Sequence, residues 1–189
     1  MDEIDRKIIS QLQLDGRTTL KGLSRIVGYT SMGIKKRMKN LIEKDVIKVS
    51  ALLNIEPLNL CAAIVLLEIE SAEAMHSLLE RFKDCPRVVH IFTTLSGYNL
   101  IALVVAEDQD TLESISMEKC SLRSSEGIRR SEFYLIGNIH YSSFLPIREH
   151  LTHKERTTTP CNVDCRPCNR YKAQKCVGCP TTIYYRGTL

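Results

Sequence analysis

The sequence has no tryptophan, and aromatic residues make up only 6% of its 189 positions. With 43% hydrophobic residues, the core must be built from aliphatic side chains. The longest apolar runs, Leu60 to Leu67 and Leu100 to Ala106, fall far short of the roughly 20 residues that a membrane helix needs. The start, Met1-Asp2-Glu3, has no basic stretch leading into an apolar one. Neither a secretory signal nor a transit peptide is therefore expected, and the expected location is the cytoplasm. At 25% charged residues the composition is that of a globular protein, not a disordered one.

What is present is unevenly spread. The formal charge of +4 conceals 11 Lys and Arg against 6 Asp and Glu in residues 1 to 50, 8 against 14 in 51 to 150, and 7 against 2 in 151 to 189. The ends are basic and the middle is acidic, which points to a polyanion partner for the ends and a separate task for the middle.

In the first fifty residues Ile4, Ile8, Ile9 and Leu12 recur at helical spacing, behind acidic residues where a helix start favours them. Asp15-Gly16-Arg17 ends that helix. A second, capped by Thr18 or Thr19, is expected to bury Leu20, Leu23, Ile26 and Val27, and Gly28 reverses the chain. Thr30 or Ser31 caps a third, whose apolar stripe is Ile34, Met38, Leu41 and Ile42. Three short helices with a basic last one form a helix-turn-helix whose third helix enters the major groove of double-stranded DNA. Ser31, Met32 and Gly33 would reach base edges, and Lys35, Lys36, Arg37, Lys39 and Asn40 would meet the backbone. Gly33 is unfavourable in a helix by about 1 kcal/mol relative to Ala, and close approach to DNA is one reason for it.

After a linker at 54 to 60, Cys61–Ile69, Val88–Leu95, Leu100–Ala106 and Ile128–Ile136 read as strands. Helices are expected at Ala72–Lys83 and Asp110–Lys119. The order βαββαβ is that of a ferredoxin-like sandwich, here spanning 61 to 145. Its helix-free sheet face needs cover, and a second copy of the sheet is the economical solution, so a homodimer is expected. His76, His90 and His140 are isolated and receive no role. Cys61, Cys85 and Cys120 are read as small buried hydrophobes.

A polar, Thr-rich connector at 151 to 160 leads into C-x3-C-x2-C-x7-C-x2-C, formed by Cys161, Cys165, Cys168, Cys176 and Cys179. Paired C-x2-C turns let two thiolates face one ion, and a segment this poor in apolar residues needs a crosslink to fold. The absence of a secretory signal argues against disulfides. Two metals remain open. Zinc favours the two C-x2-C pairs, although the spacer is shorter than in zinc ribbons. An iron–sulfur (4Fe-4S) cluster favours three close thiols and a distant one before Pro, as in Cys161, Cys165, Cys168 and Cys179-Pro180. Five thiols for four positions point to metal or redox responsiveness. Arg166, Arg170, Lys172 and Lys175, interleaved with the cysteines, would offset thiolate charge or touch DNA.

The stretch IDRKIISQLQLDGRTTLKGLSRIVGYTSMGIKKRMKNLIEKDVIK resembles the DNA-binding half of the Lrp/AsnC (feast/famine) transcription regulators. CPRVVHIFTTLSGYNLIALVVAED and GIRRSEFYLI resemble their ligand-sensing RAM domain. The resemblance implies an α+β chain: a winged helix-turn-helix at 1 to 53, the RAM-type sandwich, and a metal-stabilised tail at 161 to 189 as an addition. It also implies a non-enzymatic regulator, dimers that stack into larger rings, and a small effector near the turn Ser96, Gly97, Tyr98 and Asn99. Asp45 stands where the family usually has Gly, and Asn99 where it usually has Asp. A siroheme-decarboxylase-like enzyme shares the two-domain resemblance and is the competing reading. A purely structural zinc tail is a third.

Overall fold

A computed structural model of the chain describes residues 1 to 95, 97 to 152 and 154 to 189. It divides into two compact units, Met1–Ala51 and Leu52–Leu189.

The first unit consists of α1 (Glu3–Leu14), α2 (Leu20–Val27) and α3 (Ser31–Glu43). Each starts on a side-chain cap. Asp2 and Asp5 form a reciprocal capping box on α1, Thr19 accepts from Gly22 N, and Thr30 accepts from Gly33 N. Such caps satisfy backbone donors that a helix start would otherwise leave unpaired. Ile8, Leu23 and Ile34, one from each helix, are fully buried together. Two members expected in this core face outward instead: Ile26 and Ile42 are exposed. The angular spacing of α2 and α3 puts them at the edges of their apolar stripes, and three short helices are too few to cover them. After α3, Asp45 adopts φ +51 and Val46 N donates to Leu41 O at 2.9 Å. That bond and the left-handed residue before it end the helix as a Gly would.

The second unit holds a four-stranded antiparallel sheet of β2 (Cys61–Ile69), β3 (Val88–Thr93), β4 (Leu100–Ala106) and β5 (Ile128–Leu135), in the order β3-β4-β2-β5. With α4 (Ala72–Phe82) between β2 and β3 and α5 (Gln109–Met117) between β4 and β5, this is the ferredoxin-like βαββαβ arrangement. Alternation places Ala63, Val65, Leu67, Leu100, Ala102 and Val104 under the helices, where they form the main core with Leu78, Phe82 and Leu112. Ile64, Leu66, Ile101, Leu103 and Phe92 point to the opposite face and stay partly or fully exposed.

Three departures from expectation have simple causes. The segment expected as a linker at 54 to 60 begins in β1 (Leu53–Asn54), which pairs antiparallel with β6 (Phe144–Leu145). This closes a second core of Ile55, Leu60, Ala62, Val89, Val105, Ile147 and Leu189. The connector at 151 to 160 is tied down: Arg156 and Thr182 form a parallel bridge, and buried Thr159 packs within the fold. The cysteine-rich segment, with α6 (Asn169–Lys172), packs onto the helical layer, and Cys161 and Val163 join the main core.

Candidate functional site

Three places hold the residues that the sequence singles out. The first is α3. At 3.6 residues per turn, Ser31, Met32, Lys35, Lys36, Lys39 and Asn40 share one half of the helix, and all six are exposed. Met32 lies near the middle of that half and is 77% exposed. Among the described residues no carboxylate pairs with Lys35 or Lys36, while Lys39 makes only an exposed 3.5 Å contact with Glu43, a pair worth little in water.

Two of the eight α3 residues singled out in the sequence do something else. Arg37 points away from this half. Its Nη1 donates to Asp2 Oδ2 at 2.7 Å and Asp5 Oδ1 at 2.8 Å, and its guanidinium lies over the Tyr29 ring at 5.3 Å. The carboxylates hold the Arg37 proton more firmly, and the backbone N–H of Asp5, together with Arg37, keeps Asp2 below the ordinary carboxylate range. Arg37 therefore bolts α3 to the cap of α1. Gly33 has a local cause beside any DNA contact: a Cβ there would lie 2.3 and 2.6 Å from Tyr29 ring carbons, so the glycine lets the ring lie where it does.

The second place is the turn between β3 and β4. Ser96 lies outside the described residues. Gly97 is exposed, and a Cβ on it would meet nothing. Tyr98 donates its hydroxyl to Glu132, lies 4.8 Å from the Arg130 guanidinium, and shares Glu132 with Tyr134. These donors, Tyr134 first, bring the Glu132 carboxyl down to about 2. Asn99 is spent on the backbone of β2: its Oδ1 accepts from Ile69 N at 2.8 Å and its Nδ2 donates to Ile69 O at 2.7 Å. An aspartate could accept the first of these bonds but could not donate the second, which accounts for the amide at this position.

The third place is the thiols. Cys161, Cys165 and Cys179 line a cavity between the cysteine-rich segment and the helical layer, and Cys85 and Cys120 line it from the sheet domain. Cys61, Cys85 and Cys120 all pack against the main core as expected of small hydrophobes, and Cys85 and Cys120 also line this cavity. Burial raises the thiols of Cys85 and Cys165 to about 12 and also raises those of Cys120, Cys176 and Cys179. Burial is partly offset by nearby backbone N–H groups that favour the thiolate, of Arg87 for Cys85, Cys179 for Cys165, Gly178 for Cys176 and Thr181 for Cys179. The thiolate is the form that binds metal. Gly178 makes the turn possible with φ +88, where a Cβ would also press on the Tyr171 ring at 3.1 Å. Among the described residues no three His, Cys, Asp or Glu side chains meet closely enough to hold a single ion.

Sequence reasoning missed what holds this segment down. Arg87, 5% exposed, pairs with Glu107 through both its terminal nitrogens and donates to Gly178 O at 2.8 Å. Tyr185 donates to the same Glu107. On α5, Arg170 donates to Ser114 Oγ at 2.5 Å and Glu113 at 2.6 Å, while Ser114 donates to Lys175 O at 2.7 Å. No short motif marks these partners, which lie 20 to 91 positions apart.

A three-helix unit that presents a basic helix, joined in one chain to a ferredoxin-like sandwich, defines a DNA-binding regulator with a separate second domain. Comparison with known proteins makes this specific. Residues 1–48 match the family description "Winged helix-turn-helix DNA-binding", and residues 62–143 match "Lrp/AsnC ligand binding domain". The chain is 30% identical over 118 residues to the HTH-type transcriptional regulator FL11 of Pyrococcus abyssi, covering 60% of this chain and 76% of that protein. It is 26% identical over 152 residues to FL11 of Pyrococcus furiosus, covering 78% and 97%. The solved structure of a Neisseria meningitidis transcriptional regulator in complex with L-Met shares its fold, with a TM-score of 0.68 at 22% identity over 79% of this chain and 99% of that one. The chain belongs to the Lrp/AsnC family of transcription regulators and is a DNA-binding protein. The cysteine-rich segment lies beyond both family matches. Among the described residues no helix is long and apolar enough to cross a membrane.

Proposed function

We propose that this chain is a cytoplasmic regulator that reads a specific operator through the exposed half of α3, with Ser31 and Met32 at base edges and Lys35, Lys36, Lys39 and Asn40 on the flanking backbone. The observation that carries this is the clean division of α3. Its apolar half is consumed by the three-helix core, its Arg37 by Asp2 and Asp5, and its remaining cations face solvent. The working form is a homodimer whose helix-free sheet faces cover Ile64, Leu66, Ile101, Leu103 and Phe92, and two such helices suit a pseudo-palindromic site. Dimers stack into larger rings with a small effector near the Gly97 turn. Because Asn99 is committed to Ile69, that effector meets Tyr98 and the Gly97 backbone. The cysteine-rich segment holds zinc or an iron–sulfur cluster and adjusts DNA binding to metal or redox state.

Gel-shift titration on the DNA upstream of the protein's own coding sequence tests the reading. The expected outcome is a discrete complex that survives excess unrelated duplex, with an affinity that changes when metal is removed. Equal competition by unrelated DNA would sink operator recognition. An affinity indifferent to metal would sink the control assigned to the segment.

A further inference from the structure

The five thiols around the cavity come from two parts of the chain that no motif connects. Cys85 stands in the connection from α4 to β3 and Cys120 just after α5, so the ends of both helices of the layer face the cysteine-rich segment. The remaining wall is apolar, with Phe82, Ile115 and Leu122 among its members. Arg87 supplies one fixed positive charge at its edge, engaged with Glu107 and Gly178 O.

The size of the space separates the candidate occupants. A tetrahedral zinc with Zn–S bonds of about 2.3 Å gathers its four sulfurs within about 3.8 Å of one another. Here five cysteines line one cavity, and among the described residues no three His, Cys, Asp or Glu side chains meet closely enough to hold one ion. The cavity, about 50 Å³ in volume, has room for a compact body of a few atoms beyond a single ion. Thiolate ligands, an apolar lining and backbone N–H groups near the sulfurs are what an iron–sulfur cluster requires, since hydrogen bonds to the sulfurs and burial set its properties.

We infer that Cys85 and Cys120 of the sandwich domain join Cys161, Cys165 and Cys179 in one composite thiolate site for an iron–sulfur cluster. The inference rests on the proposed metal-binding role of the segment and extends it to the sandwich. Four of these thiols ligate and each loses its proton on doing so; the fifth is the spare. Cys168, which caps α6 and does not line the cavity, is not a ligand. Loading therefore ties the segment to both helices of the sandwich, and loss of the cluster loosens that whole layer.

The test is anaerobic reconstitution of the full chain with ferric iron, sulfide and excess dithiothreitol, which supplies the electrons a mixed-valence cluster needs. About four iron and four sulfide per chain are expected, with a charge-transfer band in the visible. The double variant Cys85→Ala and Cys120→Ala leaves only three lining thiols and should lose at least nine-tenths of the iron, while Cys168→Ser and Cys61→Ser keep it. Circular dichroism of each variant checks the fold. Independently of any substitution, alkylation of the wild-type chain in urea just below unfolding, read by mass spectrometry, should become at least tenfold slower at Cys85 and Cys120 on loading. Full iron in a folded double variant, or unchanged alkylation, overturns the composite site. Loss of the cluster on Cys168→Ser does so as well. If the wild-type chain takes up neither iron nor zinc, the metal-binding reading itself fails.

Discussion

The two ends of the chain carry the same excess of five positive charges and use it in opposite ways. On α3, Lys35 and Lys36 stand in solvent with no acidic neighbour among the described residues, and the one cation turned inward, Arg37, secures the helix to its own unit. In the C-terminal segment three of the four arginines are engaged by nearby side chains. Arg170 reaches Ser114 and Glu113 on α5, Arg166 closes on Asp164, and Arg186 lies 3.9 Å from the Tyr171 ring. The difference teaches that basic character indicates a polyanion partner only where the charges lack internal partners. Within the acidic middle, Glu113 of α5 supplies the counter-charge for Arg170.

The sharpest way to break this arrangement is at Arg87, whose side chain and that of Glu107 are each only 6% exposed. Arg87→Met leaves Glu107 charged and buried and removes the donor to Gly178 O. A loss of about 3–5 kcal/mol is expected, seen as a lower urea midpoint for the second unit with the helical unit unchanged. Pairing it with Glu107→Leu should restore most of the loss, because replacing a buried ion pair by apolar residues is often nearly neutral. If the single variant costs under 1 kcal/mol, the pair is not what anchors the segment.

Next in size is the contrast between the ends themselves. Lys35→Ala with Lys36→Ala should weaken operator binding roughly 30-fold per protomer at 0.15 M salt and make the slope of log K against log salt shallower by about 1.8, the value for two lost phosphate contacts. Arg166→Ala with Arg170→Ala, equal in charge removed but already engaged by Asp164 and Glu113, should leave the slope alone. Equal changes from the two pairs would show that both ends touch DNA and that the distinction drawn here is wrong.

A smaller effect is expected at the β3–β4 turn. Asn99→Asp removes the donor to Ile69 O and sets a carboxylate against that carbonyl, so about 1–3 kcal/mol of stability should be lost at neutral pH. Part of it should return below about pH 4, where the carboxyl is protonated and can donate. Thermal melts at the two pH values measure it, and a neutral substitution would mean that the turn tolerates either residue.

How much of this was legible follows the range of the interactions. The three helices, their caps at Thr19 and Thr30, and the βαββαβ order come from local patterns, apolar periods of 3.6 or 2 with cap residues at fixed offsets, and these lie in plain view. The placement of Lys35 and Lys36 was equally readable. The role of Arg37 was not, because Asp2 and Asp5 stand more than 30 positions away and a cation's partner has no local signature. The local reason for Gly33 is hidden for a related cause: the ring packed against it, Tyr29, belongs to the preceding turn. Cys85 and Cys120 read as isolated hydrophobes because only the folding of the C-terminal segment onto the helical layer brings them to the other thiols.

The smallest expected change lies at the end of α3, where Asp45 holds φ +51 in a position that glycine occupies without steric cost. Asp45→Gly relieves the left-handed strain but also frees the unfolded chain, and the two effects oppose each other. Aspartate tolerates this region better than most residues, so the net gain should be a few tenths of a kcal/mol and at most about 1. Thermal melts of the isolated stretch 1 to 51 are not required, because in the full chain the helical unit can be followed by amide exchange at Leu41 and Val46. Slower exchange there in the variant, with the Lys35 and Lys36 salt slope preserved, would show that the cap affects how firmly α3 is held without altering what α3 presents. Faster exchange would mean that the aspartate side chain contributes more to the cap than its backbone strain costs.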